Sequence, residues 1–172
     1  MLSKELEKAL NEQINFELYS SYLYVAMCGA LQKMNFSGAA NWMRIQAMEE
    51  LTHADKMFKF IFDRDGNVVL DKVDRPPSSW DSMLAAFEDV YKHEKVVTAR
   101  ISNLMELALS EKDHATSSFL QWFVTEQIEE ESNAKSIIDK LKMASDSPQM
   151  QLMMDMELQK RQFNMPAGSV QA

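Results

Sequence analysis

An all-α fold, a four-helix bundle with one long crossover and a short fifth helix, is what this sequence predicts, and three observations predict it. Glycine and proline, four of each in 172 residues, are too few for a turn-rich β protein. Alanine, leucine, methionine, glutamate, lysine and glutamine, which favour helix, recur throughout the chain. Four long stretches place apolar residues at alternating three- and four-residue steps, with turn signals between them. The length suits a single domain with a sizeable core over residues 1–162, followed by a small polar tail, 163–172, that frays.

The first helix is expected over 3–34, with Ser3 as N-cap and Glu5 in its first turn. Its core-facing seam reads Leu10, Gln13, Glu17, Ser20, Tyr24, Met27 and Leu31, on which Glu17 is the only formal charge. Tyr24, two turns beyond Glu17, has two readings: an amphipathic core tyrosine, or a partner that hydrogen-bonds or gives an electron to whatever Glu17 holds. Asn35-Phe36-Ser37-Gly38 then breaks the pattern, and so short a connection makes the next helix an antiparallel neighbour.

The second helix, 37–64, carries Met48-Glu49-Glu50-Leu51-Thr52-His53. Glu50 and His53, three residues apart, project side by side, and their face continues through Met43, Met57 and Phe60. A carboxylate and an imidazole on a core-facing stripe must be paired, protonated or bound to something, because an isolated buried charge costs several kcal/mol. Glu-x-x-His on a bundle helix is one half of a di-iron or di-manganese carboxylate site. The plainer alternative is a hydrogen-bonded polar pair on a partly wet face.

Residues 65–79 hold turn residues and two prolines and show no helical period. Extended, such a segment reaches about 50 Å, and a helix of about 30 residues spans about 45 Å. It can therefore run the whole length of the bundle before the third helix starts. That helix, 80–111, has the cleanest seam of the chain: Met83, Phe87, Val90, Glu94, Val97, Ile101, Leu104 and Ala108. Glu94 is its one exception. His93, turned about 100° from the seam, and His114, in the following loop, are expected at the surface.

Asp113 caps the fourth helix, 113–143, whose seam reads Thr116, Leu120, Phe123, Gln127, Glu130, Ala134, Ile137 and Leu141. Glu126, Glu129 and Glu131 surround Gln127 and Glu130, and such a run of glutamates is as readily a solvated face as a ligand set. Ser147-Pro148 opens a fifth helix, 147–162, with proline at its first position. Its methionines, Met150, Met153, Met154 and Met156, read as packing or subunit-contact residues before a soft-metal site.

A formal net charge of −8 argues against nucleic acid and anionic membrane surfaces as partners and is compatible with attracting cations. The single cysteine, Cys28, excludes an internal disulfide framework and a Cys-x-x-Cys metal site. It reads as a small buried hydrophobe and fits a reducing compartment. The start of the chain has no apolar signal region, and no run approaches a membrane span, so the expected location is cytoplasmic.

Each long helix thus places its polar exceptions near its midpoint: Glu17, Glu50 with His53, Glu94, and Gln127 with Glu130. Four carboxylates and one imidazole buried at one level would repel each other without cations. Two divalent metals, with Glu50 and in one arrangement Glu130 bridging, would neutralise them. Oxygen-rich ligation with one imidazole suits iron or manganese better than zinc.

These residues resemble those of bacterial non-haem ferritins over nearly the whole chain. The stretch from Asn11 to Tyr24 is similar to that family's first-helix signature, Glu49-Glu50-Leu-Thr-His53 to its second, and Phe119 to Glu131 to its fourth. The resemblance implies a ferritin-like bundle and a ferroxidase centre with one iron on Glu17, Glu50 and His53. A second iron would lie on Glu94 and Glu130, with Glu50 bridging and Gln127 a close hydrogen-bonding partner or weak ligand. A third iron site would fall on Glu49, Glu126 and Glu129, sharing Glu130, and Tyr24 would stand beside the centre. It further implies oxidation of Fe(II) by O2 or H2O2, storage as a ferric mineral, and a homo-oligomeric shell of 24 subunits whose four-fold channel the fifth helix would line. Haem-binding relatives carry a histidine where Glu130 stands and a methionine where Leu51 stands, which argues against haem. Rubrerythrins add a cysteine-rich domain, which one cysteine rules out. The alternative function is a non-storage di-metal oxidoreductase of peroxidase or catalase type, and a third class is a bundle that binds no metal.

Overall fold

The computed structural model describes residues 1–144 and 147–164, and in them it contains helices and no strands: α1 (Lys4–Lys33), α2 (Ser37–Asp63), α3 (Met83–Ser110), α4 (His114–Met143) and α5 (Pro148–Leu158). The expected frayed tail falls, from residue 165 onward, outside the described residues. None of the described helices is long and apolar enough to cross a membrane. Two compact units are distinguishable, one holding Met1–Trp80 with the C-terminal residues from Gln149, the other Asp81–Pro148.

In the first unit α1 and α2 pack against each other. Ser3 caps α1, its Oγ accepting from Leu6 N at 3.0 Å. The chain then reverses at Asn35, whose φ of 65° lies in the left-handed region that asparagine tolerates better than most residues. Phe36 N closes that turn on Leu31 O at 3.0 Å. Every residue of the expected α1 seam is buried. On α2 the seam holds at Met43, Glu50, His53 and Met57. It then departs from expectation: Ile61 is buried where Phe60 is only half-buried.

Phe36 offers α2 no side-chain cap. The helix is capped instead from α5, where the buried Asp155 accepts from Ala39 N at 2.8 Å, a carboxylate at the positive end of the helix dipole. Gly38, which reads as a breaker in the sequence, lies inside α2, and a Cβ there would overlap the Asp155 carbonyl. It is glycine because α5 passes so close.

The long connection after α2 runs along α1 rather than looping into solvent. Asn67 N donates to Glu7 Oε2 at 3.1 Å. Asn11 accepts from Val69 N at 2.7 Å and donates to Asn67 O at 2.9 Å. Asn15 accepts from Asp71 N at 3.3 Å and donates to Lys72 O at 3.0 Å. The register is geometric: four residues of helix rise about 6 Å and two extended residues about 6.6 Å. Side chains four apart on α1 therefore meet backbone groups two apart on the connection, which is carried toward the C-terminal end of α1 as a long crossover requires.

In the second unit α3 and α4 pack against each other, and both expected seams are buried in full. Helix α3 begins at Met83 and not at Trp80, because Ser82 Oγ caps Ala85 N at 3.0 Å. Asp113 caps α4 through Thr116 N at 3.0 Å, and His114 is exposed in the first turn of α4 rather than in the loop.

Helix α5 starts at Pro148 as expected but ends at Leu158, not at 162. Beyond it the chain tightens into three-residue turns, Lys160 N donating to Glu157 O at 3.1 Å and Arg161 N to Leu158 O at 3.2 Å, while Asn41 Nδ2 donates to Gln159 O at 3.3 Å and Arg161 O at 3.1 Å. The buried residues of α5 are Asp155 and Leu158. Met150, Met153 and Met156 are exposed in the chain and do not fill its core.

The crossover's dependence on α1 is testable. Asn11→Ala, which leaves Val69 N and Asn67 O without their partner, should destabilise the protein by about 1–3 kcal/mol in urea denaturation. An unchanged midpoint would show that the contacts contribute nothing net.

Candidate metal centre

The first unit brings three of the expected site residues together. Glu17 from α1 and Glu50 and His53 from α2 are 1%, 2% and 3% exposed. Each presents a ligand atom within 4.8 Å of the others'. Their placement is local in origin. Helical spacing sets Glu50 and His53 on neighbouring turns, with His53 Nδ1 at 3.4 Å from Glu50 Oε2. Each carboxylate is also steadied from one turn earlier on its own helix: Gln13 Nε2 donates to Glu17 Oε1 at 2.8 Å, and Gln46 Nε2 to Glu50 Oε1 at 3.3 Å.

These tethers leave the cluster incomplete. Glu17 Oε2 and Gln46 Oε1 are buried and lack a hydrogen-bond partner, and a buried polar atom without one costs about 1–3 kcal/mol. Burial, with the Glu50 charge adding to it, pushes the Glu17 carboxyl up to about 8. In the metal-free protein Glu17 therefore tends to hold a proton near neutrality. A divalent cation supplies what is missing, accepting an orphaned oxygen as donor and offsetting the paired carboxylates. Two carboxylates and one imidazole suit iron or manganese, and three protein ligands leave coordination positions open for substrate.

Glu94, Gln127 and Glu130 lie in the second unit, all buried. Gln127 Nε2 donates to Glu94 Oε2 at 3.1 Å and to Glu94 O at 3.3 Å. Gln127 is thus a hydrogen-bonding partner of Glu94. Thr98, which carried no signal in the sequence, joins this network, its hydroxyl accepting from Gln127 at 3.4 Å and donating to Glu131 Oε1 at 2.6 Å.

The glutamates of the expected third site differ among themselves. Glu49 is half-buried and ion-paired to Arg161, Glu126 is half-buried, and Glu129 is exposed. Tyr24 is wholly buried on the Glu17 seam. Two expectations are corrected. Cys28 is half-buried rather than buried, and desolvation raises its thiol pKa, which disfavours the nucleophilic thiolate. His93 is half-buried rather than at the surface, and desolvation lowers it to about 4. The glutamines were the signal passed over: Gln13-x-x-x-Glu17 and Gln46-x-x-x-Glu50 repeat one spacing on two helices.

A family model described as a ferritin-like domain matches residues 7–144. The chain belongs to the ferritin family. It is 44% identical over 147 residues to a bacterial non-heme ferritin of Bacteroides fragilis, covering 86% of this chain and 92% of that one. It is 42% identical over 164 residues to a bacterial non-heme ferritin of Staphylococcus epidermidis, covering 95% and 99%. Among solved structures, an open-pore ferritin from the hyperthermophilic archaeon Archaeoglobus fulgidus superposes with a TM-score of 0.93 at 50% identity, over 94% of this chain and all of that one. A humanized archaeal ferritin gives 0.95 at 47%, over 96% and 100%. The all-α fold expected from the seams, and the ferritin-like class the resemblance implied, are therefore the fold of this protein, and the ferritin family binds iron.

The Glu17 environment predicts a pH dependence. The folded protein holds the Glu17 proton up to about pH 8, whereas an unfolded carboxyl releases it near 4.5. The stabilisation from that proton is complete below the unfolded value and is lost as pH rises through the folded one. Between pH 5.5 and 8.5 the melting temperature of metal-free protein should fall more in the wild type than in Glu17→Gln. Parallel curves would contradict the assignment.

Proposed function

We propose that this ferritin oxidises Fe(II) to Fe(III) at a di-iron centre and stores the product as a ferric mineral inside a shell of 24 identical subunits. The observation that carries the reading is the buried Glu17, Glu50 and His53 group, with its orphaned oxygen and its raised Glu17. One iron binds on these three residues. The second binds on Glu94 and Glu130, with Glu50 bridging and Gln127 holding Glu94 by its amide. Glu49, Glu126 and Glu129, with Glu130 shared, receive a third iron beside the centre, and Tyr24 stands next to it as a hydrogen-bonding or electron-donating partner.

The residues account for the chemistry in simple terms. Carboxylates stabilise Fe(III) more than Fe(II), because the extra positive charge is better matched by anionic oxygen in a poorly solvated site. Oxidation is thereby favoured. Two irons each give up one electron, and one O2 takes both together with two protons to become H2O2. The proton that Glu17 loses on binding iron is released before this step, so the carboxylate meets the metal in its anionic form. The names of the relatives, bacterial non-heme ferritins and an open-pore archaeal ferritin, support storage over an isolated di-metal oxidoreductase.

Two measurements test the proposal. In stopped-flow assays under air, Glu50→Ala and Glu94→Ala should each slow Fe(II) oxidation by about tenfold or more. Wild-type rates in either would remove that residue from the centre. On size exclusion the protein should elute as a large assembly that retains soluble ferric mineral. A monomer or dimer could enclose none and would return the reading to a non-storage oxidoreductase.

A further inference from the structure

Glu49 already has a cationic partner. The guanidinium of Arg161, in the segment that follows α5, donates to Glu49 Oε2. It donates also to Trp42 O at 3.4 Å and lies over the Trp42 ring, 4.3 Å from its centroid. Both charged side chains are about four-fifths covered, at 21% and 20% exposure. The same segment is fastened at further points along α2: Asp155 accepts from Ala39 N, and Asn41 Nδ2 donates to Gln159 O and Arg161 O. Residues 155–161 thus form a strap over the first half of α2, and the strap closes on the carboxylate next in sequence to Glu50.

A carboxylate in so sheltered a position cannot serve a guanidinium and a divalent cation equally well. The two cations would stand a few ångströms apart in a medium that screens them poorly, and each would claim the same lone pairs. We propose that Arg161 is an internal competitor for Glu49, so that divalent metal bound through Glu49 and docking of the C-terminal strap on α2 oppose each other. The inference rests on the reading of Glu49 as a metal donor. Its thermodynamics are reciprocal: whatever factor Arg161 takes from metal affinity at Glu49, metal takes from the affinity of the strap for α2. Arg161 is then a positioning residue. It keeps Glu49 paired while the metal level is low and yields it, loosening the chain's C-terminal segment, when the level rises.

The test uses metal-free, assembled protein and Zn(II), a divalent ion that is not oxidised. Calorimetry reads metal affinity and hydrogen exchange reads the strap. Glu49→Gln should lose one class of zinc sites. In the wild type, filling that class should speed amide exchange across 155–161. Arg161→Gln should bind zinc in that class about tenfold more tightly, with strap exchange already fast and indifferent to zinc. If Glu49→Gln loses the class while Arg161→Gln binds with wild-type affinity and zinc leaves strap exchange unchanged, the competition is refuted and Glu49 remains a ligand. If Glu49→Gln binds zinc as the wild type does, the ligand reading falls and takes the competition with it.

Discussion

The structure depends on carboxylates buried on helix faces that are otherwise apolar. Glu17 and Glu50 share one pocket of low polarity with His53, and Glu94 occupies the middle of a seam whose other positions are all apolar. Repulsion and desolvation make such an arrangement unfavourable by itself. The chain lowers the cost with what it has: a glutamine one turn before each of Glu17 and Glu50, the Gln127 amide on Glu94, and a proton on Glu17. Once that proton leaves, Glu17 Oε2 has no donor to accept from. A site left unfinished in this manner is poised for a cation, and metal affinity is the return on stability given up in the empty state.

Much of the surrounding architecture holds these groups at fixed depth. The α1–α2 pair that carries the cluster is braced on one side by the crossover, hydrogen-bonded along Glu7, Asn11 and Asn15. At the start of α2 it is braced by Asp155 and the residues after α5. The C-terminal segment is therefore part of the frame of the metal-binding helix. Through Arg161 it reaches Glu49, the carboxylate next in sequence to Glu50.

The four long helices and their seams were legible because periodicity is a local property: every residue placed on the seams of α1, α3 and α4 by alternating steps of three and four is buried, although Asn11, Ile14, Ala86 and Ile138, off those seams, are buried too. The polar exceptions were legible for the same reason, since Glu94 among apolar neighbours violates a pattern visible within one helix. What escaped depends on partners distant in sequence. Nothing near Phe36 announces that Asp155 will cap α2, and nothing in Asn11 or Asn15 specifies backbone groups of the crossover. Arg161 falls within the expected fifth helix with no signal of its own, and only the structure places it on Trp42 and Glu49. The methionines of α5 left open whether they pack within the chain or meet another subunit, because an apolar composition says little about which face of a short helix is covered; Met150, Met153 and Met156 are exposed in the chain. The covered side chains of α5 are Leu158 and Asp155, the latter placed at the positive end of α2.

The most direct measurement of the central claim is anomalous diffraction at the iron edge from crystals soaked anaerobically in Fe(II). The account predicts one iron bound by Glu17, Glu50 and His53 and a second on Glu94 and Glu130. Iron confined to exposed surface carboxylates, with the buried group empty at saturating Fe(II), would contradict it.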